Sequence, residues 1–481
     1  MARRGSTSLS TRGGDSSKSK GSQQAKGSAR VSSTRIAPLY KRLPHGPHRL
    51  ERDEVVLHQR TRIHGAMVEA VAAHGYEGTS VKQVIGLAGV SRRSFYEQFA
   101  NKQACFLATF DVIARRELKQ IRKAYLAHGG PLEDRTRAAF ERFARMTAED
   151  RNATILVVLE AQRAGQAGVL RLRRVTGACE QMITQSFADS SGAVALPLPI
   201  VRGITGGLHR TAATFLREQR KPSSVNLAEE MLRWTMLFQT PAAEHLAERM
   251  APGLSARMRE ISSAQGHGPI NAQARRDERT RALDGVLRLV TREDYPTLSA
   301  PQIADEANLS IDSFCEMFAS KDDCYLEALD MIGDELLSIA ADPELVSSDW
   351  PRAVRRVMAE LTRYLGEHPL YARTLVQEAF FTGEKALERT VELSHSIATL
   401  LTEGAPAASS PAGEAQGGLT TDAVAGAIWH TIRCQVVAGR IQLLGALADH
   451  LTYVVLAPYL GAEEAIEIVT EERCPAMEPS Q

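Results

Sequence analysis

One segment occurs twice in this chain, 219 residues apart, and it constrains the fold more than any other feature. The first copy reads Ser80-Val-Lys-Gln-Val-Ile-Gly-Leu-Ala-Gly-Val-Ser-Arg-Arg-Ser-Phe-Tyr-Glu-Gln-Phe99. The second reads Ser299-Ala-Pro-Gln-Ile-Ala-Asp-Glu-Ala-Asn-Leu-Ser-Ile-Asp-Ser-Phe-Cys-Glu-Met-Phe318. Each has the pattern of two short helices joined by a tight turn, a helix-turn-helix. The match continues without a gap over about 50 residues, pairing Arg60-Thr61-Arg62 with Arg279-Thr280-Arg281, Tyr76 with Tyr295, Gln83 with Gln302, Ser91 with Ser310, Lys102 with Lys321, Cys105 with Cys324 and Asp111 with Asp330. A duplication is the expected origin. The charges diverge: the first window holds three bases and one acid, the second four acids and no base.

A chain of 481 residues is long for a single core and suggests two or three domains. Hydrophobic residues at 43%, aromatics at only 5% and abundant alanine favour helix, and strand signals are nearly absent. The expected fold class is all-α. No run of 18 apolar residues is evident, so no membrane-spanning helix is expected. No apolar stretch follows the basic N-terminus, so no secretory signal is expected there, and a cytoplasmic location follows. The six cysteines, Cys105, Cys179, Cys315, Cys324, Cys434 and Cys474, form no CxxC pair and have no histidine at zinc spacing, so they read as reduced thiols.

The net charge of +1 hides a division. Residues 1–50 hold 11 Lys/Arg and one acid, leaving −9 on the remainder. Residues 1 to about 35 lack the large apolar side chains that could offset ordering entropy and are expected to be disordered. Residues 1–50 thus read as a basic arm placed to lie along a nucleic-acid backbone or groove.

From about Arg52 the apolar spacing is helical, with Val56, Ile63, Met67 and Val71 on one face and Gly75 ending the helix. Thr79 or Ser80 caps a second helix, Ser91 a short third, and Asn101 a longer one from about Lys102 to His128. Further helices are predicted over about 132–149, 152–165, 169–188, 198–220 and 226–239. The expected domains are a helix-turn-helix unit at 51–110, a helical regulatory and dimerisation region at 111–251, a linker at 252–275, a second helix-turn-helix unit at 276–335, a second helical region at 336–462 and a tail at 463–481. Gly404 to Gly418 reads as a mobile loop.

A helix-turn-helix needs a rigid apolar back and a polar front. Leu87, Val90, Phe95 and Phe99 supply the expected back; Arg92, Arg93, Ser94 and Tyr96 the front. Arginine can fork onto guanine N7 and O6 or onto a phosphate, and Tyr96 can offer its hydroxyl to a phosphate. Thr79, Ser80 and Lys82 lie at the start of the preceding helix, where free amides favour anions. Ser91 starts the reading helix, and Lys102 starts the next, where it would clamp a flanking phosphate.

Two stretches carry a family resemblance: Gly-Tyr-x-Gly-Thr-Ser-Val-x-x-Val at 75–84 and Ala-Gly-Val-Ser-Arg-Arg-Ser-Phe-Tyr-Glu-Gln-Phe at 88–99, continued by Asn-Lys-Gln-Ala-Cys-Phe-Leu at 101–107. They resemble the TetR/AcrR transcriptional regulators, and Leu43-Pro-His-Gly-Pro-His-Arg49 resembles the arm of actinobacterial members. The resemblance covers about 50 residues. It implies a helical repressor that binds double-stranded DNA at a near-palindromic operator as a dimer, with a small-molecule inducer in the second half of the domain.

The second copy departs from that pattern. Lys82 is replaced by Pro301, Gly89 by Asn308, Arg92 by Ile311, Arg93 by Asp312 and Tyr96 by Cys315, while Ala307, Leu309, Phe314, Phe318 and Leu326 keep the core. A TetR-like unit that no longer reads DNA is expected over 276–460, because each lost cation weakens phosphate binding. Two pairings fit: an intrachain pseudo-dimer with one active head, or a homodimer with two. Gly203, Gly206 and Gly207, and Gly426, Ala427 and Gly439, would allow close helix crossings in either.

Phe140, Phe143, Met146, Met182, Phe187, Trp234 and Phe238 are candidate pocket residues in the first half, and Met358, Tyr364, Trp429 and His430 in the second. At helical spacing they serve equally as core, so the inducer stays unassigned. No Gly-rich phosphate loop, GxSxG, HExxH or CxxC is present, and no enzymatic activity, cofactor or metal is expected. The alternative is a co-regulator whose acidic second half holds a protein partner.

Overall fold

The computed structural model describes residues 52–191, 196–217, 224–239, 278–293, 295–346, 349–406 and 419–471. The basic arm, the 252–275 linker and residues 407–418 of the expected loop lie outside the described residues. Within them the chain is helical, with no strand.

The first half opens with α1 (Arg52–Gly78), kinked at Gly75, where φ is 66°. The expected helix end is therefore a bend followed by one more turn. α2 (Val81–Ala88), α3 (Arg92–Tyr96) and α4 (Lys102–Ala127) complete the head. α5 (Leu132–Glu149) follows. The helix expected at 152–165 changes winding along its length: α6 (Arg151–Ile155), a π-turn over Leu156–Glu160, then a 3-10 turn over Ala161–Ala164. α7 (Gln166–Ser191), α8 (Leu198–Arg217) and α9 (Ser224–Met236) close the half.

The second half repeats the order: α10 (Glu278–Val290), α11 (Ala300–Glu306), α12 (Ile311–Met317) and α13 (Lys321–Ala340), then α14 (Trp350–Glu367), α15 (Pro369–Val376) and α16 (Glu384–Thr402). α17 (Leu419–Val437), a 3-10 stretch (Ile441–Leu447) and α18 (Ala448–Leu460) follow. α19 (Ala462–Thr470) lies in the expected tail, which is a packed helix there, with Ala465 and Ile466 fully buried.

Ile441–Leu460 is the one stretch among the described residues long and apolar enough to cross a membrane, contrary to expectation, and 72% of its apolar window is buried inside the fold. Its apolarity is that of a core helix: Leu451, Tyr453, Val454, Val455 and Leu456 are fully enclosed.

The halves meet where α8 crosses α17. A Cβ at Gly426 would stand 2.5 Å from the Gly206 carbonyl oxygen, and one at Gly206 would stand 2.6 Å from the His430 Cβ. The crossing is reciprocal, since Gly206 faces His430 while Gly426 faces Arg210. Val454 of α18 packs on Gly203, and the Phe238 and Tyr453 rings meet at 5.9 Å, so α8, α9, α17 and α18 share one bundle within the chain. Small residues permit this close backbone approach, as expected for Gly203, Gly206, Gly426 and Ala427. Gly207 instead seats the Trp234 ring, and Gly439 is a turn residue with φ 71°.

Candidate nucleic-acid interface and internal cavities

The head is built by local capping. Ser80 accepts from the Gln83 amide at 3.3 Å while the Gln83 side chain returns to the Ser80 amide at 2.7 Å, a capping box that starts α2. Gly89 turns the chain in the left-handed region, φ 61°. Ser91 Oγ accepts from the Ser94 amide at 3.0 Å and starts α3. Phe95 and Phe99 are buried, their rings 5.7 Å apart, against Val84, Ala88 and Phe106. Two cations act from behind: Arg62 holds the α2 C-terminal carbonyls of Ala88 and Gly89, and Arg60 lies 5.4 Å over the Phe99 ring.

On the outer face Ser80, Lys82, Ser91, Arg92, Arg93 and Tyr96 are exposed. Arg92 lies 5.7 Å over the Tyr96 ring, and Arg93 pairs with Glu97 at 2.9 Å across a fully solvated surface. An exposed pair of this kind is worth only about 0.3–0.5 kcal/mol, so it holds Arg93 loosely. These side chains are exposed donors on α2 and α3.

Other expected contacts fall elsewhere. Thr79 is buried, and its hydroxyl donates to the Gly75 carbonyl at 2.7 Å, fixing the corner between α1 and α2. Ser94 is half-buried and its hydroxyl is bonded to Ser91 at 2.8 Å. Lys102 donates to the carbonyls of Tyr76 at 2.9 Å and Glu77 at 3.3 Å and lies 4.4 Å over the Tyr76 ring, a staple between α1 and α4. Leu87, expected at the apolar back, is instead 54% exposed.

The second head keeps this architecture. Its burial pattern from Ser310 to Ser320 matches that from Ser91 to Asn101 position by position. Ser299 and Gln302 form the same capping box, Ser310 caps α12 through the Ser313 amide at 3.0 Å, and Arg281 reaches the Asn308 carbonyl at 3.2 Å. Asn308 takes over the left-handed turn at φ 54°, which asparagine tolerates better than most side chains. Lys321 repeats the staple, donating to Tyr295 at 2.9 Å and Leu298 at 2.8 Å. The outward positions carry Pro301, Ile311, Asp312 and Cys315.

Behind the first head lies an apolar cavity of about 170 Å³. Phe140, Phe143, Met182 and Phe187 line it as expected, with Ile121, Tyr125, Val158 and His209. Met146, Trp234 and Phe238 do not line it; the Trp234 indole donates to the Ile204 carbonyl at 3.0 Å inside the bundle. Burial pushes the Glu117 carboxyl in this cavity up to about 7, Asp150 adding to the rise and Arg116 opposing it. Burial holds His209 down, to about 3, helped by the charge of His430. Met358 is core and Tyr364 stacks on His368 at 4.2 Å, so neither lines this cavity.

The cavity has two physical links to the head. α4 runs from Cys105 and Phe106 in the head core to Glu117 and Tyr125 at the cavity. The π-turn supplies Val157 and Val158 to the cavity wall, while its Glu160 accepts from the Tyr76 amide at 2.8 Å, beside the α1 kink. Single π-turns inside helices often mark functional positions.

A second cavity, about 110 Å³, lies between the halves and takes in Trp429 and His430, two residues expected in a second-half pocket. At its edge Glu180, His430 and Cys434 offer three metal-donor atoms within 4.8 Å of one another. His430 already bonds Glu180 at 3.2 Å and Cys434 at 3.5 Å, and Arg202 stands 3.9 Å from Glu180. Burial alone would lower His430, but the bonds to Cys434 and Glu180 hold it up, at about 9. The cluster is therefore satisfied as an ion-paired network, and its cationic surroundings oppose a divalent ion.

Residues 65–109 match the bacterial regulatory proteins of the tetR family, a span that contains α2 and α3. No curated protein matches the chain. Similar solved structures include the fatty acid degradation regulator FadR from Bacillus halodurans, 18% identical, covering 37% of this chain and 94% of that one with a TM-score of 0.34. The transcriptional regulator FadR from Bacillus subtilis, in complex with stearoyl-CoA, is also 18% identical, covering 36% of this chain and 96% of that one with a TM-score of 0.33. Likeness at this level does not bear on the ligand or chemistry of this chain. The tetR-type match places the first head among DNA-binding regulatory units.

Proposed function

We propose that the chain is a ligand-responsive transcriptional repressor, without enzymatic activity, that reads DNA through its first head alone. The carrying observation is the exposed set Lys82, Arg92, Arg93 and Tyr96 on a capped, rigid α2–α3 pair, against Pro301, Ile311, Asp312 and Cys315 at the matching positions. Arg92 and Arg93 would enter the major groove, while Ser80, Ser91 and Lys82 meet the flanking phosphates. The second head would have lost DNA reading and kept its fold because the bundle needs its partner half.

In this reading the two halves are duplicated tetR-like units that form a pseudo-dimer within one chain. One chain then presents one basic head. A near-palindromic operator would be read by two chains, on half-sites about 34 Å apart. A ligand in the apolar cavity would bias the head through α4 and through the contact of Glu160 with Tyr76.

The test is genome-wide DNA capture with the purified chain beside its Arg92→Ala/Arg93→Ala variant. A recurring site lost in the variant is the expected result. A near-palindrome means two chains per operator, and a lone half-site means one. Capture unchanged in the variant would refute reading by the first head and favour the co-regulator, with the acidic face of the second head engaging a protein.

A further inference from the structure

The cavity between the halves is cationic in a way that DNA reading does not use. Arg173, Arg210 and Arg217 line it from α7 and α8, and Arg433 from α17, while no aspartate or glutamate lines it. A cation withdrawn from water needs an anion, because uncompensated desolvation costs several kcal/mol. Arg210 has one, in Asp422 at 3.3 Å. That carboxylate also accepts from Thr214 at 2.8 Å and His395 at 3.1 Å, and Glu180 is held by His430 and Arg202. The nearby acids are thus engaged.

Arg433 is withdrawn from water and not matched, and Arg173, exposed at the rim, is unpaired beside it. Among the described residues neither has a hydrogen-bonded or ion-paired carboxylate. The Arg433 guanidinium stacks 3.9 Å over the Phe380 ring, and its Nε has no hydrogen-bond partner. Burial lowers Arg433 to about 10; Cys434 opposes the fall and Arg173 adds to it. The indole nitrogen of Trp429, on a residue lining the same cavity, is a buried and unpartnered donor as well. Donors from both halves therefore surround a space with room for several waters.

We propose that this inter-half cleft binds the anionic group, a phosphate or a carboxylate, of an effector. Such an anion would join Arg173 of the first half to Arg433 of the second, across the Gly206–Gly426 crossing. It would set how rigidly the two halves hold together. The cleft shares Leu172, Thr176 and His209 with the apolar cavity as a common wall, so the two sites are placed to sense one another. The proposal deepens the ligand-responsive reading and rests on it for its consequence, but not for its test.

The test is calorimetry and thermal melting of the full chain without DNA, at constant ionic strength, with inorganic phosphate and separately with citrate. Saturable binding of one probe, a raised melting temperature, and at least a tenfold loss of affinity in both Arg433→Gln and Arg173→Gln are expected. Phosphate alone indicates a phosphorylated effector, and citrate alone a carboxylate. Arg92→Ala/Arg93→Ala should leave the binding unchanged, which separates the cleft from the head. Arg173 is exposed at the rim, so its variant keeps the test open if Arg433→Gln does not fold. Absence of saturable binding at millimolar probe, or equal binding in the cleft variants, overturns the proposal. Because no DNA is present, either result leaves the DNA-reading proposal to its own experiment.

Discussion

The two heads have the same skeleton and opposite surfaces. Ser91 and Ser310 cap equivalent helices, Phe95 and Phe314 fill equivalent cores, and Lys102 and Lys321 make equivalent staples. The contrast of charge lies at positions that face solvent, while buried positions exchange one apolar side chain for another, as Val84 for Ile303 and Met67 for Val286. The comparison separates two kinds of cation that look alike in a sequence. Lys102 has an equivalent in the acidic head, Lys321, and each is bonded to backbone carbonyls at the first turn of the fourth helix. Arg92 and Arg93 do not persist, and nothing in the folded head needs them. A cation kept where its neighbours have lost theirs has a structural duty.

The largest effect expected from testing this comparison lies at the crossing that both halves share. Gly206→Val or Gly426→Val would force a side chain into the opposing backbone, costing about 3 kcal/mol or more, and should lower the melting temperature sharply. A variant that melts like the wild type would mean the halves do not meet there in solution. Next, Arg92→Ala/Arg93→Ala should weaken operator binding by about 2–6 kcal/mol, while Asp312→Ala/Glu316→Ala should change it less than twofold, both measured by fluorescence anisotropy. A large loss from the acidic pair would make the second head a participant.

The staples give a smaller and symmetric effect. Lys102→Met and Lys321→Met should each lose about 1–3 kcal/mol in urea denaturation, with DNA affinity preserved in both once folded. If Lys102→Met weakens DNA binding without loss of stability, the lysine is a phosphate clamp after all. Glu117 distinguishes the halves by pH, since its counterpart at the 219-residue offset is the buried Leu336. Its folded pKa is raised, so its contribution is fully present below the unfolded value near 4.5 and is lost as pH rises through about 7. Glu117→Gln should therefore be more stable than the wild type at pH 8 by about 1–2 kcal/mol, and equal to it near pH 4.5, in melts across that range. The smallest effect is at the surface pair: Glu97→Gln should alter stability by under about 0.5 kcal/mol and tighten DNA binding slightly by releasing Arg93.

Much of this was legible in the residues, and the reasons are local. Helix starts could be read because Ser80, Ser91 and Asn101 cap through bonds to amides three residues away or fewer. The exposed basic face could be read because arginines adjoin a buried phenylalanine pair at i,i+4 spacing. The burial of Thr79 and the inward bonds of Lys102 could not be read locally, because their partners, the carbonyls of Gly75, Tyr76 and Glu77, are set by the bend at Gly75. Leu87 was misassigned because the short α2 leaves one apolar position outside. The crossing is legible in part: Gly206 and Gly426 mark close helix approach, but nothing local shows that they meet each other.

The sequence by itself determined the helices, their caps and the contrast of charge between the two copies, because these depend on neighbours within a turn or two. Only the tertiary structure decided that α8 and α17 cross within one chain, that the cavity belongs to the first half, and that arginines from α7, α8 and α17 line one cleft. The crossing and the cleft depend on residues more than 200 positions apart, and the cavity on residues from Ala114 to Thr235, whose approach is governed by the packing of whole helices and not by any local pattern.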